Sequence, residues 1–363
     1  MEEKIERIAN WMKGRKVGPY TIELNITNKC NLKCRMCWLR NFSCSRKEIE
    51  NSKWIKIVEE ACQLGVKEFR IPGSGEPFVK KKLVLEMVKI IKKNKRKGLI
   101  ITNGTLIDDG VAEVLVRFGW DIVTISIDGP VPEIHNFIRN SKHAFQKTIG
   151  GVRKINEYKR LYGKKLPYLR MNTVITSVNV NKLEEMVELG YRLSFSEVLF
   201  QPITVFSEEG RKLLPKKKDI RDNLKRAMRK AESLGIYTNA KNLLKKGSIK
   251  AEDLPKLWKR VIETNDGFLK IPCYEPFYNI VITPYGEVGP CAVFGGNSSL
   301  NVCSTNLKNI WYEGFEEFRK RLRKGEMFDF CKNCCVPIFL ENERIREVLR
   351  REIYGRRKDK KTL

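Results

Sequence analysis

The sequence predicts an α/β fold built on a parallel sheet, and three observations predict it. Six apolar runs of strand length recur between residues 20 and 205, amphipathic helical segments separate them, and glycines and small polar residues follow the strands at their C-terminal ends. Strand, helix and strand in this rhythm pair in parallel through right-handed crossovers. The result is either an open doubly wound sheet or one curled into part of a barrel.

The elements follow in order. "MEEKIERIANWMKGRKVG" reads as a short amphipathic helix with no apolar signal core, and no later run approaches the roughly 20 apolar residues needed to span a bilayer. A cytoplasmic protein with no membrane partner is expected. The strands are "YTIELNIT" (20–27), "KEFRIPG" (67–73), "GLIITNG" (98–104), "DIVTISIDG" (121–129), "YLRMNTVIT" (168–176) and "FSEVLFQPI" (195–203). Helices are expected across 48–65, 81–94, 108–118, 144–161 and 181–191. "GSGEP", "TNGT" and "SIDGP" close the second, third and fourth strands, on the face where parallel α/β folds bind ligands.

From about Ser207 the rhythm breaks. Helices near 219–234 and 252–264 lead to "PCYEPFYNIVITPYGEVGPCAVFGG", a hairpin around Tyr285-Gly286 with a cysteine at either end. A helical segment (306–325), "CKNCC" (331–335) and a last helix complete the chain. The expected division is an N-terminal helix (1–19), the strand and helix unit (20–205), a helical connection (206–265), a small cysteine-bearing domain (266–345) and a basic C-terminal helix and tail (346–363).

The chain of 363 residues carries a formal charge of +28, and glutamine is rare, a balance that leans toward a heat-adapted proteome. The basic residues are spread over helix faces, turns and the tail and read mainly as solvated surface, which makes a nucleic-acid partner the lesser expectation. Eleven cysteines with no export signal point to metal or redox chemistry rather than a disulfide framework. With only His135 and His143 available, a metal here is expected on thiolates. Both histidines read as surface or packing residues, and the aromatics around Tyr274 as hairpin core.

"KCNLKCRMCW" sets Cys30, Cys34 and Cys37 within eight residues of the first strand's end. Three thiolates on a [4Fe–4S] cube leave one iron open to an outside ligand. A zinc site or a disulfide are the alternatives. The Cys30-x3-Cys34-x2-Cys37 spacing resembles the signature of the radical S-adenosylmethionine (SAM) superfamily. "GSGEP" (Gly73, Ser74, Gly75, Glu76) resembles its GGEP motif, with Ser74 in place of the first glycine. "SIDG" resembles its fourth-strand motif, with Ser126 and Asp128 near the ribose, and "IHNFIRN" a stretch whose Arg139 reaches the SAM carboxylate. Asn103, in the third-strand turn, is grouped with these cofactor-binding residues.

The resemblance covers about residues 20–205 and implies a partial (β/α)6 TIM-like barrel. It also implies a SAM-binding [4Fe–4S] cluster, S-adenosyl-L-methionine, and a reductase, ferredoxin or flavodoxin as electron donor, in an anaerobic cytoplasm. Cys273, Cys291, Cys331 and Cys334 resemble the SPASM or twitch region, which implies one auxiliary [4Fe–4S] cluster, with Cys335 as rival for the last place. A four-cysteine zinc ribbon would use the same thiolates. Cys303 is a possible hydrogen donor to a substrate radical, Cys62 reads as core, and Cys44 carries no assignment. A single auxiliary cluster suits oxidation or epimerisation of a sugar- or cyclitol-like molecule. A ribosomal-peptide-modifying enzyme is the alternative, and a zinc-bound nucleic-acid-binding protein the alternative of another class.

Overall fold

The computed structural model describes residues 2–42, 45–246, 251–294 and 298–352; Cys44 and most of the basic tail lie outside them. In chain order the helices and strands are α1 (Glu2–Met12), β1 (Thr21–Leu24), α2 (Asn51–Gln63), β2 (Glu68–Ile71), α3 (Lys81–Lys93), β3 (Lys97–Thr102), α4 (Asp109–Arg117) and β4 (Ile122–Ser126). They continue as α5 (Pro132–Arg139), α6 (Ala144–Leu161), β5 (Tyr168–Ile175), α7 (Leu183–Arg192), β6 (Glu197–Pro202), α8 (Glu208–Lys212), α9 (Lys217–Leu234), β7 (Tyr237–Thr238) and α10 (Ala240–Lys246). The last are α11 (Leu254–Thr264), β8 (Asn279–Ile282), β9 (Val288–Gly289), α12 (Leu307–Asn309), α13 (Glu316–Arg323) and α14 (Val336–Arg350).

The described chain divides into two compact units. One comprises Asn25–Asn51 and Arg70–Gly247; the other comprises Met1–Leu24, Ser52–Phe69 and Ser248–Leu363. In the first, β3, β4, β5 and β6 pair in parallel in chain order, and the two-residue β7, absent from the expected strands, pairs in parallel with β6. The strand centres are apolar because helices cover them: α3 buries Leu83, Val84, Met87, Val88 and Ile91, one stripe at helical spacing. This is the open parallel α/β sheet expected from the alternation of runs. In the other unit β1 pairs in parallel with β8, and β8 turns back antiparallel into β9 through the expected hairpin at Gly286, whose φ is +85°.

Three departures have local causes. The second helix begins at Asn51 rather than Glu48, because the Glu48 carboxylate is bonded to Thr27 and to the Asn28 amide instead of joining a helical turn. "PEIHNFIR" forms α5, started by Pro132 at its first position and ended by Asn140 in the left-handed region. The segment expected as one helix over 306–325 is broken by a π-turn at Ile310–Gly314, where the Phe315 amide bonds back to Ile310. That extra residue brings Trp311 and Phe315 onto the buried guanidinium of Arg319, which stacks 4.4 Å from the Trp311 ring centre and 3.9 Å from that of Trp11.

Cys62 is buried on α2, and Tyr274, Phe277 and Tyr278 are core, as expected. Among the described residues no helix is long and apolar enough to cross a membrane. Gly98 tests the packing of β3: a Cβ there would stand 2.1 Å from the fully buried ring of Trp120. Gly98→Ala is expected to cost about 1–3 kcal/mol by overpacking, read as a lower urea midpoint at unchanged slope; an unchanged midpoint would show that the ring yields freely.

Candidate functional site

The segment Asn25–Cys37 has neither helix nor strand, so its shape is set by what it is bonded to. The "GSGEP" turn runs beside it: the Gly75 amide donates to Thr27 O (2.9 Å) and the Glu76 amide to Lys29 O (3.0 Å). A Cβ on Gly75 would lie 2.1 Å from that same Lys29 oxygen, and Gly73 has φ +70°, so both glycines are required by close approach or backbone conformation. Ser74 Oγ donates to Asn25 Oδ1 at 2.9 Å, giving the residue that departs from the family motif a bond of its own.

Glu76 locks the turn from beneath. Its buried carboxylate accepts from Thr102 Oγ1 (2.7 Å), the Asn103 amide (2.7 Å) and the Phe78 amide (3.1 Å). Burial raises its pKa despite those bonds and the charge of Arg139. The "TNGT" turn then reaches the cysteine loop, with Asn103 Nδ2 donating to Asn31 Oδ1 (2.9 Å) and Asn31 Nδ2 to Thr105 Oγ1 (2.8 Å). Glu48 accepts from Thr27 Oγ1 (2.9 Å), the Asn28 amide (2.8 Å) and Lys80 Nζ (3.0 Å). Arg35 ties the far end to α5, its amide donating to Ile138 O and its Nε to Phe137 O, each at 3.0 Å.

Within this frame Cys34 is buried, Cys37 half-buried and Cys30 exposed. Arg139 Nη1 lies 3.8 Å from Cys34 Sγ, and its Nη2 lies 2.7 Å from Asp128 Oδ2. Burial opposes the Arg139 charge, but Asp128 and the Cys34 and Cys37 thiols outweigh it, so its pKa is raised and the cation persists. Asp128 is fully buried, with Oδ1 accepting from the Val174 amide (2.9 Å). Its own amide donates to Nδ1 of buried His135 (3.1 Å), a packing histidine whose pKa burial lowers to about 3. Ser126 ends β4, in register with Asn172 on β5.

Desolvation pushes the Cys30 thiol up to about 11 and raises that of Cys37, and the neighbouring thiols add to the shift. Such thiols keep their protons at neutral pH until a metal replaces them. Among the described residues no three His, Cys, Asp or Glu side chains converge closely enough to grip one metal ion. A four-iron cube spreads its thiolates over separate corners and asks for wider spacing.

The second cysteine set lies in the other unit. Cys273, Cys291, Cys331 and Cys334 line one small cavity with Glu275, and Cys335 is not among its lining. Aromatic packing closes it, Phe328 lying stacked on Phe330 at 5.3 Å. The backbone before Cys273 is held by Arg346 of α14, which donates to Leu269 O (3.0 Å), Ile271 O (2.9 Å) and Pro272 O (3.2 Å). Asn342 Oδ1 accepts the Tyr274 amide on its other side. Cys303 is exposed in a turn, its amide donating to Asn301 Oδ1, and does not line this cavity.

Sequence reading missed Asn31, Glu48, Lys80, Asn342 and Arg346. The only signals were polar residues in otherwise apolar or helical runs. The donor chemistry at both sites fits iron–sulfur clusters: thiols in sets of three and four, with a buried cation beside the first set.

A family model described as the radical SAM superfamily matches residues 24–190, and one for SPASM, described as an iron–sulfur cluster-binding domain, matches 273–335. The chain is 27% identical over 187 residues to a tungsten-containing aldehyde ferredoxin oxidoreductase cofactor-modifying protein of Pyrococcus furiosus (51% of this chain, 52% of that protein). It is 22% identical over 299 residues to the antilisterial bacteriocin subtilosin biosynthesis protein AlbA of Bacillus subtilis (82% and 59%). It is 27% identical over 187 residues to a PqqA peptide cyclase of Gluconobacter oxydans (50% and 48%). The chain thus spans about half the length of the curated relatives it matches. Streptococcus suis SuiB bound to the precursor peptide SuiA shares its fold, with a TM-score of 0.64 at 19% identity over 91% of this chain and 74% of that one.

The buried neutral His135 sets a pH dependence. Its folded-state pKa lies below the ordinary 6.5, so the unfolded chain takes up the proton first as pH falls. Stability is then lost below pH 6.5, by up to about 1.4 kcal/mol per pH unit toward pH 3. His135→Asn keeps an acceptor for the Asp128 amide but cannot titrate. Urea midpoints at successive pH values are expected to fall less steeply in that variant; parallel curves would mean that His135 is not held neutral.

Proposed function

Because the chain belongs to the radical SAM superfamily and carries a SPASM iron–sulfur region, we propose that it is a radical SAM enzyme that modifies a peptide. The observation that carries the radical SAM part is the clamping of the Cys30, Cys34 and Cys37 loop by the "GSGEP" and "TNGT" turns. When bound, the cluster and SAM supply one-electron cleavage of the sulfonium to a 5′-deoxyadenosyl radical that abstracts a substrate hydrogen.

The chain's own residues bind, orient and exclude water. Cys30, Cys34 and Cys37 would supply the three thiolates that hold the SAM-binding cluster. Gly73, Ser74 and Gly75 would present backbone to SAM, with Asn103 just after β3 and Ser126 at the end of β4. Glu76 and Asp128 act as positioning residues, since their carboxylates are already engaged by backbone amides. Arg139 supplies positive charge next to Cys34. Cys273, Cys291, Cys331 and Cys334 would hold one auxiliary cluster, a reading supported by the small cavity they line with Phe328 and Phe330 and that Cys335 does not line. Cys303, exposed in its turn, is given no catalytic part.

A peptide substrate is supported by relatives. One relative, matched over 82% of this chain, is named for biosynthesis of a bacteriocin, and another is a peptide cyclase. The sugar- or cyclitol-like substrate has no such support and gives way to the peptide reading. An electron donor of the ferredoxin or flavodoxin type and an anaerobic cytoplasm belong to the same reading, since an open iron is sensitive to oxygen and needs an electron.

Anaerobically purified protein is expected to contain about eight irons per chain, two four-iron clusters, and to release 5′-deoxyadenosine with dithionite and SAM. The Cys30→Ala/Cys34→Ala/Cys37→Ala variant is expected to retain about four irons and release none. Peptides, and not sugars or cyclitols, are expected to raise deoxyadenosine formation above the substrate-free rate. Zinc without iron would overturn the enzyme reading, and stimulation by a cyclitol alone would overturn the peptide.

A further inference from the structure

α6, α7 and the turn after α7 border an open groove of about 760 Å³ in the unit that carries the cysteine loop, with Arg153, Arg160 and Arg192 exposed along it and Lys159 half-buried. The chain has 43 acidic residues, yet no carboxylate lines this groove. Arg153, Lys159, Arg160 and Arg192 do line it, and among the described residues none of the four is paired with a carboxylate. Nearby, Lys154 meets Asp109, and Lys230 meets Glu184 and Glu188. Burial alone holds the Lys159 ammonium below its ordinary pKa, as expected of a half-buried cation with no counter-charge.

The groove also has an apolar floor. Phe145, Ile149 and Leu189 form it, the last two buried, and Asn156 Nδ2 fixes the wall by donating to Leu193 O at 2.8 Å. Arg153 and Arg160 are two helical turns apart, about 10 Å along α6, so the positive charge is distributed rather than focused on one point. Lys164, which also lines the groove, is already engaged with Arg117 O. Distributed cations without counter-charge, around an apolar floor of small-molecule size, complement an organic anion bearing several charges.

We propose that this groove binds a phosphate-bearing organic anion, its phosphates among Arg153, Lys159, Arg160 and Arg192 and its apolar body on the Phe145, Ile149 and Leu189 floor. None of these residues belongs to the cysteine loop or the turns that hold it, so the proposal stands independently of the function proposed above.

Calorimetry with ATP, pyrophosphate and adenosine as probes tests it. Saturable one-to-one binding of ATP is expected, with pyrophosphate weaker and adenosine weakest. Arg153→Gln/Arg192→Gln is expected to weaken ATP binding at least about tenfold, and Arg153→Lys/Arg192→Lys to restore most of it, which separates lost contacts from misfolding. Lys216→Gln/Lys217→Gln removes the same charge from α9 and its cap and is expected to leave ATP binding unchanged. The variant lacking Cys30, Cys34 and Cys37 is expected to bind as the parent does. Absent or unsaturable binding, equal losses in the two glutamine variants, or loss in the cysteine variant would each overturn the site. Pyrophosphate binding as tightly as ATP would overturn the role of the apolar floor.

Discussion

The buried carboxylate of Glu76 is the constraint on which the cysteine loop depends. It holds Thr102 and the Asn103 amide on one side, while the Glu76 backbone is bonded to Lys29 on the other. One residue thus couples the C-terminal end of β3 to a loop with no regular structure of its own. Such a loop would otherwise have to be ordered at a cost of roughly 1–2 kcal/mol per residue. Gly75 makes the coupling possible, because any side chain there would collide with the Lys29 carbonyl. This backbone contact shapes the cysteine-bearing loop without using a sulfur atom.

The second cysteine set is arranged on the same logic with different parts. Arg346 and Asn342, both on α14, take up the backbone groups on either side of Cys273. A buried arginine bonded to three carbonyls satisfies polar groups that the aromatic packing shuts off from water. At both sites, therefore, the residues that shape the cysteine-bearing backbone lie far away in sequence and do not carry thiols.

Charge is handled differently inside and outside. Arg139 is buried but paired with Asp128, and Arg319 is buried and stacked between two tryptophans. Over the surface some of the positive charge meets nearby carboxylates, as at Lys154 and Lys230. Beside α6, cations collect around an apolar floor with no acid among the lining residues.

The sequence by itself determined what short-range pattern can encode. The alternation of apolar runs and helical stripes yields the parallel sheet, because burial of one face imposes a period on each element. The spacing of Cys30, Cys34 and Cys37 and the glycines of "GSGEP" are likewise local, since turn geometry and thiol reach operate over a few residues. The tertiary structure alone decided which distant residues meet. Glu48 left its expected helix for Thr27 and Asn28, and Asn31 met Asn103. Cys334, not the adjacent Cys335, faces the cavity shared with Cys273 and Cys291. The π-turn at Ile310–Gly314 also follows from packing around Arg319, whose stacking partners come from opposite ends of the chain. Adjacent cysteines look alike to a pattern, and only the packing of the chain around them decides which sulfur faces inward.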